Sequence, residues 1–187
     1  VLLDRFTSDR TPLRVTLQPV RGSHSGNSFD LFDEVIDAQH PYRPFINSHV
    51  NSQFDYLPGP DKHPLHYRLT PPLNPTGKKP VIVYVYGGPG AQKVRREWSP
   101  LLLQLFAHHG FGVLELDNRG STNRGRDFEA PIYRAMGSVE VDDQLLGVAM
   151  LKDVAWADLG NLGIFGHSYG GYMTLMSLCK APNVFKA

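Results

Sequence analysis

This chain is short of cysteine, of net charge and of long apolar runs. One cysteine, Cys179, stands in 187 residues, which excludes an internal disulfide framework. It lies in an apolar helical stretch and is expected as a small core residue. Lys and Arg number 19 against 18 Asp and Glu, a net charge of +1. So balanced a chain has no field suited to nucleic acid or to an anionic membrane. No apolar segment reaches the roughly 20 residues that a membrane helix needs. No signal-like segment opens the chain, but its first residue is Val1, so that says nothing of the true start. His63 and His66 are the nearest approach to a metal pair, and neither cysteine nor acid stands at ligand spacing. No metal or cofactor is therefore expected. Hydrophobic residues at 41% and charged residues at 20% are ordinary for a globular domain with a proper core.

What is present centres on Gly166-His167-Ser168-Tyr169-Gly170. The pentapeptide follows the apolar run Leu162 to Phe165 and opens a second apolar stretch, Tyr172 to Cys179. Strand, tight turn and helix in that order are the context in which G-x-S-x-G reads as a nucleophile elbow, pointing to a serine hydrolase. Gly166 and Gly170 flank Ser168 because strand and helix backbones pass too closely for side chains. The helix N-terminus would face the site where negative charge develops. Ser168 needs a base, and the base an orienting acid. In the α/β-hydrolase arrangement both follow the serine. Only 19 residues follow Ser168, with no Asp, Glu or His among them, so the sequence is expected to stop mid-domain. His167 adjoins Ser168, but a neighbour on a sharp elbow points away from the hydroxyl. His108 and His109 read as helix C-terminal residues.

Residues 1 to about 50 lack the later rhythm. Leu13 to Leu17 reads as a strand, Arg21 to Ser28 as a loop. Phe29, Phe32 and Ile36 have helix-like spacing and predict a helical turn with a solvated acidic face. His40-Pro41 and Arg43-Pro44 predict an extended linker. Phe54 to Leu57 and Leu65 to Leu69 bracket Pro58-Gly59-Pro60-Asp61 as a hairpin. From Lys79 the pattern becomes strand, helix, strand, helix, strand, helix, which implies a parallel sheet. Val81 to Tyr86 is apolar throughout, as for a strand covered on both faces. Ser99-Pro100 should cap a helix that buries Leu101, Leu102, Leu105 and Phe106 and stops at Gly110. Phe111 to Asp117 is the next strand and Ser138 to Asp153 the next helix. The fold class is α/β, with an incomplete α/β-hydrolase fold. The loops Gly87 to Gly90, Asn118 to Gly125 and Gly166 to Gly171 fall at the carboxyl ends of its strands, where such sheets place their chemistry.

An oxyanion needs donors. The backbone N–H of Tyr169 is one. Tyr86 precedes Gly87-Gly88-Pro89-Gly90, where lipase-like enzymes place a His-Gly-Gly donor segment, and its phenol is suited to the second role; a core aromatic with a satisfied hydroxyl is the alternative.

Val83 to Ala187 resembles the prolyl oligopeptidase family of serine peptidases, most closely its dipeptidyl peptidase IV branch. The resemblance rests on Val85 to Gly90, Asp117 to Ser121, Gly137 to Gln144 and Gly166 to Tyr172, in that order. It implies Ser168 as the acyl-accepting nucleophile, with the Tyr86 hydroxyl and Tyr169 N–H as the oxyanion pair. It implies the Tyr169 ring as part of the wall for a proline-sized P1 side chain. Asp117 and Arg119 are expected to fix the loop beside the site, as a buried ion pair would. The implied substrate is a peptide with a free N-terminus and Pro or Ala second, losing a dipeptide. Residues 1–50 then correspond to the last strands and exit linker of a β-propeller, and 51–187 to the first part of the hydrolase domain. A homodimer and a periplasmic or secreted location accord with the same resemblance. The alternatives are another α/β-hydrolase, such as a proline iminopeptidase or esterase, and a non-catalytic relative that binds peptides.

Overall fold

Alternating and β-branched segments build two separate sheets. The structure, a computed structural model, describes residues 1–19, 27–98 and 101–187. The first sheet is antiparallel, with strands β1 (Leu2–Ser8), β2 (Thr11–Gln18) and β3 (Phe29–Asp33) in that order. The expected strand at Leu13 to Leu17 lies within β2. The expected helical turn at Phe29 is instead β3, where Val15 pairs with Phe32 and Leu17 with Phe29. A register shift between Val15 and Thr16 accommodates the mismatch, and Arg14 grips Asp30 through two guanidinium nitrogens. Pairing with a neighbour strand outweighs a three-residue apolar spacing. Residues 21–26 of the expected loop lie outside the described residues.

The connection to the second sheet is not extended as expected. Arg43–Ser48 forms a 3-10 helix with a proline in its first turn, where the fixed φ of Pro44 suits a helical start. The junction is held by side chains from both parts. The Trp98 N–H donates to Thr7 Oγ1 at 3.1 Å, and the His49 ring stacks on Trp98 at 4.4 Å. Gln104 clamps Val50 by accepting from its N–H and donating to its carbonyl, both at 2.9 Å.

The second sheet has strand order β4-β5-β7-β6-β8, made from β4 (Gln53–Pro58), β5 (Pro64–Thr70), β6 (Lys79–Tyr84), β7 (Gly112–Leu116) and β8 (Ala157–Phe165). The hairpin β4–β5 forms as expected and joins the sheet antiparallel to β7. Strands β7, β6 and β8 are mutually parallel. Between them run helices α1 (Leu101–His108), α2 (Arg126–Glu129) and α3 (Val139–Met150), and α4 (Tyr169–Lys180) follows β8. The core lies between one sheet face and α3 and α4, with Val81, Val83, Leu114, Val141, Leu162, Ile164 and Met173 together. Burying each such valine or leucine contributes about 1.5–3 kcal/mol. The expectation that β6 is covered on both faces holds for one face only: Val81, Val83 and Val85 are buried, while Ile82, Tyr84 and Tyr86 are half-buried.

Helix α1 forms and ends at Gly110, which has a φ of 83°, but its buried face is not the expected one. Leu103, Gln104 and Ala107 are buried, while Leu101, Leu102 and Leu105 are exposed. The Gln104 clamp on Val50 turns that side inward, because an amide bonded to both peptide groups is satisfied when buried. Ser99 and Pro100, the expected cap, lie outside the described residues. Cys179 is exposed rather than in the core; α4 buries Gly170, Met173 and Ser177 instead.

Candidate active site

The site arises where β6 and β8 end side by side. In-register pairing sets Val83 against Ile164 and Tyr84 against Phe165, and the Val85 N–H bonds the Phe165 carbonyl at 3.0 Å. The segments after the two strands, Tyr86 to Gly90 and Gly166 to Gly170, are therefore neighbours. The contact is backbone on backbone. A Cβ at Gly166 or Gly170 would collide with the Val85 carbonyl oxygen, so only glycine lets β6, the elbow and α4 meet.

Ser168 is exposed and caps α4 with φ 58° and ψ −121°. An L-residue takes such angles only at a cost of order 1–3 kcal/mol, and the packing around Gly166 and Gly170 enforces them. Strain of this kind at the turn between strand and helix is the elbow geometry. The chain then enters the helix at once: the Gly171 and Tyr172 N–H groups both bond the Ser168 carbonyl, at 2.9 and 3.2 Å. The N–H of Tyr169, first residue of α4, belongs to the helix donors without an intrahelical acceptor.

The structure sets Tyr86 beside Tyr169, the residue that follows Ser168. The rings of Tyr86 and Tyr169 stand 6.2 Å apart, and Tyr172 meets Tyr169 edge-on at 5.3 Å. Gly88 passes beneath the Tyr169 ring, and a Cβ there would overlap it. Among the described residues no hydrogen bond joins a histidine or carboxylate to the Ser168 hydroxyl, and His167 is exposed beside it.

Asp117 and Arg119 are both buried but do not pair with each other. Asp117 accepts from the N–H groups of Lys93 and Val94, at 2.8 and 3.1 Å, and from Arg124 at 3.2 Å. Burial still pushes its carboxyl upward, against those donors. Arg119 instead meets Asp143, with Nε and Nη2 on its carboxylate at 2.9 and 2.7 Å, and reaches Asp61 at the hairpin tip. The hydrogen bond to Asp143 is the main cause of its raised pKa. The sequence signal was acid and arginine in one block; that each takes its own partner, Arg124 for Asp117 and Asp143 for Arg119, could not be read from it.

Three positions of α3 hold the site. Asp143 holds Arg119. Gln144 donates to the Asn118 side-chain oxygen at 2.8 Å and to the Leu116 carbonyl at 3.0 Å. Asn118 in turn donates to the Gly87 carbonyl at 2.9 Å and the Arg119 carbonyl at 2.6 Å, which ties the loop after β6 to the loop after β7. Glu140 accepts from the Tyr169 phenol at 3.0 Å. Burial, then the Glu140 charge, raises the Tyr169 pKa well above the ordinary tyrosine value. Positions 140, 143 and 144 share one helix face and all lie in the block Gly137 to Gln144 that the sequence had already singled out, though without their roles. Among the described residues no group of histidine, cysteine and acids could hold a metal ion, and no helix is long and apolar enough to cross a membrane.

A mixed sheet with a strained serine between a parallel strand and a helix defines an α/β-hydrolase. Residues 97–187 match the prolyl oligopeptidase family, and that segment belongs to it. Within it, the chain is 38% identical over 118 residues to human dipeptidyl peptidase 8, covering 61% of this chain and 13% of that protein. It is 35% identical over 133 residues to dipeptidyl peptidase 4 of Trichophyton equinum, covering 69% of this chain and 17% of the relative. The crystal structure of Porphyromonas gingivalis dipeptidyl peptidase 4 superposes with a TM-score of 0.83 at 28% identity, over 98% of this chain and 26% of that one. The chain thus spans about a quarter or less of the relatives it matches.

Proposed function

We propose that this chain is part of a serine exopeptidase that releases N-terminal dipeptides, Xaa-Pro or Xaa-Ala, from peptides with a free amino terminus. Residues 1–50 are the last strands and exit linker of a β-propeller, and 51–187 the N-terminal part of its α/β-hydrolase domain. The exposed Phe29, Leu31 and Phe32 of the first sheet support the propeller assignment, since apolar sheet surface of that kind packs on further strands.

Ser168 Oγ attacks the carbonyl carbon of the second residue and passes its proton to a histidine supplied from outside these 187 residues. The Tyr86 hydroxyl and the Tyr169 N–H stabilise the oxyanion. Collapse of the tetrahedral adduct breaks the C–N bond, protonates the leaving amine and leaves an acyl-enzyme, which water hydrolyses. The Tyr169 ring forms part of the wall against the P1 side chain. The observation that carries this reading is the exposed Ser168 at φ 58° and ψ −121°, at the N-terminus of α4. In the full-length protein, Ser168→Ala should lower kcat by several orders of magnitude while peptide still binds. Near-normal turnover in that variant would remove the nucleophile assignment.

A further inference from the structure

Glu140 is fully buried in the first turn of α3, a place where acids usually face solvent and favour the dipole. Its oxygens are fully engaged. Oε2 accepts from the Ser138 N–H at 2.9 Å, and Oε1 accepts from the Gly137 N–H and from the Tyr169 phenol. Two peptide donors would suffice for a helix cap. The third donor comes from 29 residues away and from the residue after the nucleophile.

The Tyr169 ring is fixed on its other sides by Tyr86, Tyr172 and the Gly88 backbone. Those contacts are apolar and let a ring slide. The bond at the phenol tip fixes its tilt, because a charge-assisted hydrogen bond has a preferred direction and length. We propose that Glu140 is a positioning residue that sets the Tyr169 ring, and through it the preference for proline over alanine at P1. This rests on Tyr169 lining the P1 pocket, as proposed above. A proline ring lies against such a wall over more of its surface than a methyl group does, so loosening the wall costs the proline substrate more.

The test is a double-mutant cycle in the full-length protein with Glu140→Gln, Tyr169→Phe and the pair together. The readout is kcat/KM on two anilides that differ only in Pro or Ala at P1, with melting temperature alongside. Tyr169→Phe keeps the backbone cap of Glu140 and removes only the link. It should lower the Pro/Ala ratio about tenfold, the low end for a hydrogen bond to a charged group. Glu140→Gln should lower the ratio similarly, and the double variant no further than either single one. A Glu140 that serves only α3 predicts a lower melting temperature in Glu140→Gln with the ratio unmoved. A ratio within twofold of wild type in Tyr169→Phe overturns the role, and so does a double variant whose loss is the product of the two single losses. If Glu140→Gln does not fold, Tyr169→Phe decides alone. A wild-type protein that cleaves neither anilide overturns the peptidase reading itself. Cleavage of both, dependent on Ser168, with the ratio unchanged in Tyr169→Phe overturns only the role of Glu140.

Discussion

Replacing Tyr86 by Phe isolates one hydroxyl. Tyr86 is half-buried, and its phenol has no hydrogen-bond partner among the described residues. Losing it therefore orphans no buried group and opens no cavity, so folding stability should change by less than about 0.5 kcal/mol. The ring itself stays against Tyr169. The kinetic effect is of another size. An oxyanion donor acts where charge develops in the transition state, and deleting one costs about 10²–10³ in kcat, or roughly 2.7–4 kcal/mol. KM should hardly move, because the ground-state carbonyl carries little of that charge. The assay is steady-state hydrolysis of an Xaa-Pro anilide by the full-length protein, with the melting temperature measured in parallel. A fall in kcat under threefold would return Tyr86 to an ordinary packing role. A large fall accompanied by a lowered melting temperature would show that the hydroxyl holds structure.

Asn118→Ala should do the reverse and damage stability first. It removes the side chain that bonds the Gly87 and Arg119 carbonyls and that accepts from Gln144, leaving buried groups unpaired at a cost on the order of 3 kcal/mol; an unchanged urea midpoint would contradict this. Tyr169 should make stability fall at high pH. Its pKa is raised in the folded chain, so its contribution is complete below the unfolded value near 10 and is lost as pH rises from there towards the folded value. Urea midpoints between pH 8 and 11 should drop more for wild type than for Tyr169→Phe, and parallel curves would count against it.

The part of the fold governed by local pattern was legible in the sequence. Continuous apolar runs marked β6 and β7, and the strand–glycine–serine–helix order marked the elbow whose backbone strain the structure displays at Ser168. Errors came where a distant partner decided. Phe29 to Asp33 is a strand because β2 lies beside it, and α1 buries Gln104 because Val50 waits there. Cys179 sits in an apolar stretch, yet α4 presents Met173 and Ser177 to the core. The supports of the site were visible as letters but not as roles. Glu140, Asp143 and Gln144 each meet a residue 24 or more positions away, and no periodicity reports such a meeting.

Those three side chains make α3 a keyed shaft. One turn of it engages the elbow tyrosine, the arginine that reaches the hairpin tip and the amide that locks the first glycine loop. An α-helix advances about 100° per residue. Insertion or deletion of a single residue between Gly137 and Glu140 would swing all three keys out of their slots together. A substitution there unseats one contact at a time, whereas such a change of length unseats all three at a stroke.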